Sequence, residues 1–117
     1  MTVLRLITFP AHAALEFAGG LALMAVPFAL AFTPAGLIAS VAAGALIAGL
    51  ALGAASRDGG GLAVAGHLAF DRAISLGLVA GALALAAYGD AAASTTLLVG
   101  SLALLTLTVI TRYSARH

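Results

Sequence analysis

From Ala35 to Ala55 the chain carries no charged side chain. Three further stretches, at about 11–32, 63–88 and 91–111, come close to the same condition. The first holds Glu16, the third holds Asp71 and Arg72, and the fourth holds no charge. A membrane crossing takes about 20 apolar residues, so each stretch is long enough to span a bilayer. Backbone polar groups in lipid must be satisfied within the segment, which makes these four transmembrane helices. The chain is 117 residues long, 63% hydrophobic and 8% charged, and its mean hydropathy is +1.19. A water-soluble domain this small could not bury that much apolar surface.

The connections set the topology. Thr33-Pro34 and Gly89-Asp90 are so short that the flanking helices must form antiparallel hairpins. Ser56-Arg57-Asp58-Gly59-Gly60-Gly61 is the clearest loop, by its charges and triple glycine. Four crossings place both termini and this loop on one side. Arg5, Arg57, Arg112 and Arg116 fall there, and Arg72 lies near that end of the third helix. By the positive-inside rule that side is the cytoplasm, so the expected topology is N-in/C-in. Arg5 and Ala29-Leu30-Ala31 imitate a signal peptide, but the apolar stretch is too long and contains Glu16, so it reads as a retained helix.

Net charge is +1 with no basic run, which gives no footing for nucleic acid. The chain has no cysteine, so disulfides, thiolate nucleophiles, iron–sulfur clusters and c-type haem attachment are excluded. Abundant Ala and Gly, with Arg and no Lys, point to a GC-rich bacterial genome and hence to a bacterial inner membrane.

A five-residue phrase recurs. His12-Ala-Ala-Leu-Glu16 opens the first helix and His67-Leu-Ala-Phe-Asp71 opens the third. Shifted by 55 positions, residues 12–31 also match 67–86 at several Ala and Leu positions, and one further step aligns Gly44 with Gly100. The chain thus reads as one four-helix domain over 1–117, made of two parallel repeats at about 10–56 and 62–113. Repeats that enter the membrane in the same direction are related by an axis along its normal. The two His/acid pairs then lie at similar depth, near the cytoplasmic face.

This layout resembles the SPW-repeat membrane proteins, small bacterial proteins built from two copies of a two-helix unit. Val26-Pro27-Phe28-Ala29-Leu30-Ala31-Phe32 stands where that family has Ser-Pro-Trp and an apolar tail. Here Val26 replaces the serine, no tryptophan is present, and the second copy has Gly81-Ala82-Leu83 without a proline. The resemblance implies the architecture and no activity.

Ionisable groups inside membrane helices are costly and mark candidate sites. His12 and Glu16 share one helix face, as do His67, Asp71 and Ser75. The bland reading is interfacial anchoring, with the acids paired to Arg72 or Arg5. Three sharper readings stand beside it. Two His and two carboxylates can hold Zn²⁺ or a similar ion. His12 and His67 can ligate a b-type haem. The pairs can also relay protons. Di-iron chemistry needs more carboxylates and a Glu-x-x-His spacing that is absent.

Small residues at Gly36, Ser40, Gly44, Gly49 and Gly53 on the second helix, and at Gly77 and Gly81 on the third, let backbones approach closely in lipid. They read as a packing or oligomer face. The hydroxyls of the fourth helix, among them Ser94, Ser101 and Thr111, could line a polar pore, but the expected arrangement is a bond to the carbonyl one turn back. Pro27 should leave the Leu23 carbonyl without its helical donor. The function expected from all this is a non-enzymatic accessory or scaffold protein in contact with the lipid bilayer, as a homo-oligomer or as a subunit of a membrane complex. The alternative is a haem- or metal-binding carrier, or a proton-coupled transporter.

Overall fold

A computed structural model describes residues 6–55 and 64–111. They form four helices: α1 (Phe9–Ala29), α2 (Pro34–Ala55), α3 (Val64–Tyr88) and α4 (Ala91–Ile110). All four are long and apolar enough to cross a membrane, so the all-α membrane architecture is the one observed. The outward side chains agree. Phe28, Ile38, Leu76 and Leu83 are each at least 67% exposed. So many bare apolar side chains suit lipid and not water. Arg5, Arg57, Arg112, Arg116 and the 56–61 loop lie outside the described residues.

Local chemistry sets the helix ends. The Thr8 hydroxyl accepts from the Ala11 N–H at the start of α1, and Pro10 sits in the first turn, where its missing N–H costs nothing. Asp90 caps α4 by accepting from the Ala93 N–H. Helices α1 and α3 end the same way. The Phe32 N–H donates to the Pro27 carbonyl, and the Asp90 N–H donates to the Leu85 carbonyl. Each is the long bond of a Schellman turn, which needs one left-handed residue. Gly89 supplies it at φ 98°, whereas Ala31 adopts φ 53° with a Cβ in place.

Within each hairpin the helices pack tightly. A Cβ on Gly20 would lie 2.7 Å from the Gly44 carbonyl oxygen and 2.8 Å from the Ala48 nitrogen. A Cβ on Gly44 would in turn run into the Gly20 carbonyl. Gly36 leaves room for the Asp90 carboxylate and Ala93. The stripe Gly36, Ser40 and Gly44 therefore packs inside the chain, the first of the two roles its spacing allows. The close crossing of α1 and α2 requires Gly44, whereas Gly36 fits against the start of α4. Gly81 faces Leu97 in the second hairpin, while Gly49 and Gly77 meet nothing within 4 Å and Gly53 is half-buried.

Between the hairpins the packing is sparser. Leu23, Ile47, Ile74, Leu78, Leu97 and Leu104 join them in one core. Among the described residues, no Cα of α1 comes within 8 Å of a Cα of α3. Those two helices occupy the long diagonal of the bundle. At one end, the Ile7 N–H donates to the Ile110 carbonyl at 3.0 Å. This single bridge holds the entry to α1 beside the exit from α4 and satisfies a carbonyl that the helix end leaves open.

Candidate metal centre on the α1–α3 diagonal

His12 and His67 are each the fourth residue of their helix, and Glu16 and Asp71 each the eighth. At 1.5 Å per residue, both pairs sit within about 12 Å of the helix start. Their side chains reach inward across the diagonal gap and meet. All four residues are buried, at no more than 2% exposure. One ligand atom from each falls within 4.8 Å of every other.

The shortest bonds cross between hairpins. His12 Nε2 lies 2.9 Å from Asp71 Oδ2, and His67 Nε2 lies 2.8 Å from Glu16 Oε1. The neighbours on the same helix are farther, at 3.6 Å for His12–Glu16 and 3.4 Å for His67–Asp71. Both repeated phrases thus enter one constellation. Among the described residues both acids pair with the histidines, and Arg72 is exposed. Arg5 lies outside the described residues.

A fifth residue joins the cluster that the sequence pattern had set among ordinary hydroxyls. The Thr111 hydroxyl donates to the Leu107 carbonyl at 2.5 Å, one turn back. The same oxygen lies 2.8 Å from His12 Nδ1. Its proton is directed to Leu107, so it accepts from His12 Nδ1–H. That places the ring proton on Nδ1 and turns Nε2 toward Asp71. Thr111 can do this because α4 stops at Ile110 and the Ile7 bridge fixes the extended residue that follows.

Phe9 closes the cluster at the helix end. Its ring stacks on His12 at 5.7 Å between centroids and meets His67 edge-on at 5.0 Å. Ser75 stays outside: it is buried one turn deeper, and its hydroxyl donates to the Asp71 carbonyl. Two α4 hydroxyls depart from the expected pattern. Ser94 donates to the Ala82 carbonyl and Ser101 to the Ser75 carbonyl, both across to α3. Thr96 follows the expected bond, to Ala92.

No protein-family model, curated protein or solved structure matches the chain. Its chemistry must be read from its own residues. A b-type haem held by both histidines needs their Nε2 atoms on opposite faces of a flat macrocycle. Here the carboxylates of Glu16 and Asp71 occupy the space that the macrocycle would cross, so the residues do not fit that group. The same carboxylates complete a donor set of two imidazoles and two oxygens. That set suits a four-coordinate ion of the zinc class, whereas Ca²⁺ and Mg²⁺ prefer six or more oxygens.

A second polar fastening lies at the opposite end. Asp90 Oδ2 accepts from the Thr33 N–H at 2.8 Å and from the Thr33 hydroxyl at 2.6 Å. These bonds tie the α1–α2 turn to the α3–α4 turn. The Thr33 hydroxyl, followed by the Ala93 N–H, holds the Asp90 carboxyl below its ordinary range.

Proposed function

We propose that the protein is a non-enzymatic scaffold of the bacterial inner membrane, a rigid frame on which other membrane components assemble. The observation that carries this reading is the double fastening of the hairpins. Helices α1 and α3 do not touch through their backbones, yet the His12/Glu16/His67/Asp71 cluster joins them at one end and the Thr33–Asp90 bonds tie the turns at the other. A chain with only four acidic residues in all commits three of them to fixing the relative position of its halves. What remains outside is largely apolar. It includes a groove of about 430 Å³ between α1 and α4, with Gly19 and Gly100 in its lining. Small residues there suit the approach of another helix in lipid.

The two halves are read as repeats with parallel entry. We read both chain termini as cytoplasmic; the reading is supported by Ile7 and Thr111 sharing one end and by four arginines that adjoin that end in the sequence. Extraction in native lipid particles tests the scaffold. A homo-oligomer, or a partner recovered at fixed stoichiometry, is expected. A monodisperse single chain without a partner would rule it out. Reporter fusions at His117 and within 58–61 test the topology, and a periplasmic signal from either would overturn it.

A further inference from the structure

We infer that the buried cluster is a binding site for one divalent transition-metal ion of the zinc class, held by His12, Glu16, His67 and Asp71, with Thr111 positioning His12. The inference rests on the reading of the cluster as the clasp between hairpins and names what the clasp takes.

The hydrogen-bond pattern makes the first argument. Thr111 directs the ring proton of His12 to Nδ1, so in the neutral ring Nε2 carries a lone pair. That lone pair faces Asp71 Oδ2 at 2.9 Å. A carboxylate oxygen is also an acceptor. Two acceptors at this distance need something positive between them, either a proton or a cation. The same Nδ1–H to oxygen bond is the usual outer support of a metal-bound histidine, because it orients the ring and leaves Nε2 free to ligate.

Charge gives the second argument. With both imidazoles neutral, as ligation requires, the two carboxylates leave the site at −2, so the His12–Asp71 and His67–Glu16 pairs would exchange their two protons for one divalent cation. One divalent cation brings the site to zero. Glu16 Oε2 adds to the demand, being buried with no hydrogen-bond partner among the described residues.

Geometry gives the third. Metal–ligand bonds of 2.0–2.2 Å in a tetrahedron put the ligand atoms about 3.3–3.5 Å apart. The four histidine–carboxylate separations are 2.8, 2.9, 3.4 and 3.6 Å, with Glu16 offering one oxygen to both rings and Asp71 a different oxygen to each. The two short ones need to open by about half an ångström to reach that spacing. The donors come from two helices of separate hairpins, so a bound ion would join elements whose backbones stay apart. Phe9 covers both imidazoles and keeps water from competing for the ion.

The experiment uses the full chain in detergent, stripped with a chelator and then offered Zn²⁺ or Co²⁺. One ion per chain should remain after dialysis. Co²⁺ should give the strong visible bands of four-coordinate cobalt, and Zn²⁺ should raise the thermal midpoint. Glu16→Gln and Asp71→Asn keep the side-chain shapes and should each abolish stoichiometric uptake. Thr111→Val should weaken binding by about 10–100-fold, with Thr111→Ser restoring it. Asp90→Asn, at the far end, should bind normally.

Wild-type protein that takes up neither ion overturns the metal site. Uptake that survives the Glu16→Gln/Asp71→Asn double change overturns the ligand assignment. If a variant fails to fold by circular dichroism, the wild-type titration and the cobalt spectrum still decide. The clasp reading fails separately, if these substitutions leave the thermal midpoint of the metal-free protein unchanged.

Discussion

Ser40 donates its hydroxyl proton to the Leu23 carbonyl at 2.6 Å, the acceptor that Pro27 deprives of its helical N–H. The kink in α1 is thus repaired from α2. Ser40→Ala should leave that buried carbonyl open. Interhelical bonds in membranes average about 0.6 kcal/mol. The cost here should lie higher, at about 1–3 kcal/mol, because no other donor replaces it. In a Pro27→Ala background the helical bond returns, and Ser40→Ala should cost much less. Unfolding both single variants and the double variant measures the coupling. Simple additivity would disprove the repair.

Gly20 and Gly44 touch backbone to backbone, whereas Gly49 faces open space. Gly20→Ala should therefore destabilise the chain by about 1–3 kcal/mol, the usual cost of forcing atoms into a filled contact. Gly44→Leu should do worse. Gly49→Leu should leave the thermal midpoint nearly unchanged, and any effect it has should appear in the size of the assembly. Thermal unfolding alongside light scattering separates the two outcomes.

Asp90 predicts an acid limit at the turn end. Its carboxyl is held below the ordinary value of 3.8, chiefly by the Thr33 hydroxyl. A lowered folded value means that the stabilisation is fully present above the ordinary value. It is lost as pH falls through the lowered one. Wild-type protein should lose thermal stability below about pH 4 more steeply than Asp90→Asn does. Parallel slopes for the two proteins would show that this carboxylate contributes nothing.

Ala31 holds φ 53° in the turn that Gly89 makes without strain. A left-handed alanine costs about 1–2 kcal/mol. Glycine in its place adds about 0.4–1 kcal/mol of unfolded-chain entropy. Ala31→Gly should therefore stabilise by about 0.5–1 kcal/mol net. A lower thermal midpoint would reverse this sign.

The cluster should behave as one unit. Glu16→Ala and Asp71→Ala each strand a histidine in a buried place, at about 3–5 kcal/mol. The double change should cost less than their sum, because both remove parts of the same network. Small, additive effects would mean that the pairs are independent.

Much of the fold is legible in the sequence, because span length, short turns and apolar composition are local properties. The repeated His/acid phrase also marks the four clustered residues, since equal register in two helices puts them at equal depth. The pairing is not local. Sequence spacing favours His12 with Glu16, yet the shorter bond goes to Asp71, 59 positions away. Thr111 reads as one more helix hydroxyl bonding back to its own turn, and it does make that bond. Its second role depends on the Ile7 bridge, which no periodicity reveals. The glycine stripe announces close approach without naming the neighbour, and the missing donor at Leu23 is visible where Ser40 as its replacement is not.

The cross-pairing also dictates an order of events during synthesis. His12 enters the membrane long before its partners, with Asp71 59 residues behind and Thr111 99 residues behind. At ribosomal speeds of about 5–20 residues per second, the second gap lasts about 5–20 s. Until α3 follows, the first hairpin carries a histidine and a carboxylate whose bonds to Asp71 and His67 are still unmade, and the Thr111 bond comes later still. Closing the cluster therefore waits for α3 and for the exit from α4. A chain that stopped after α2 would leave His12 and Glu16 without their α3 partners, so the junction exists only once both hairpins are made.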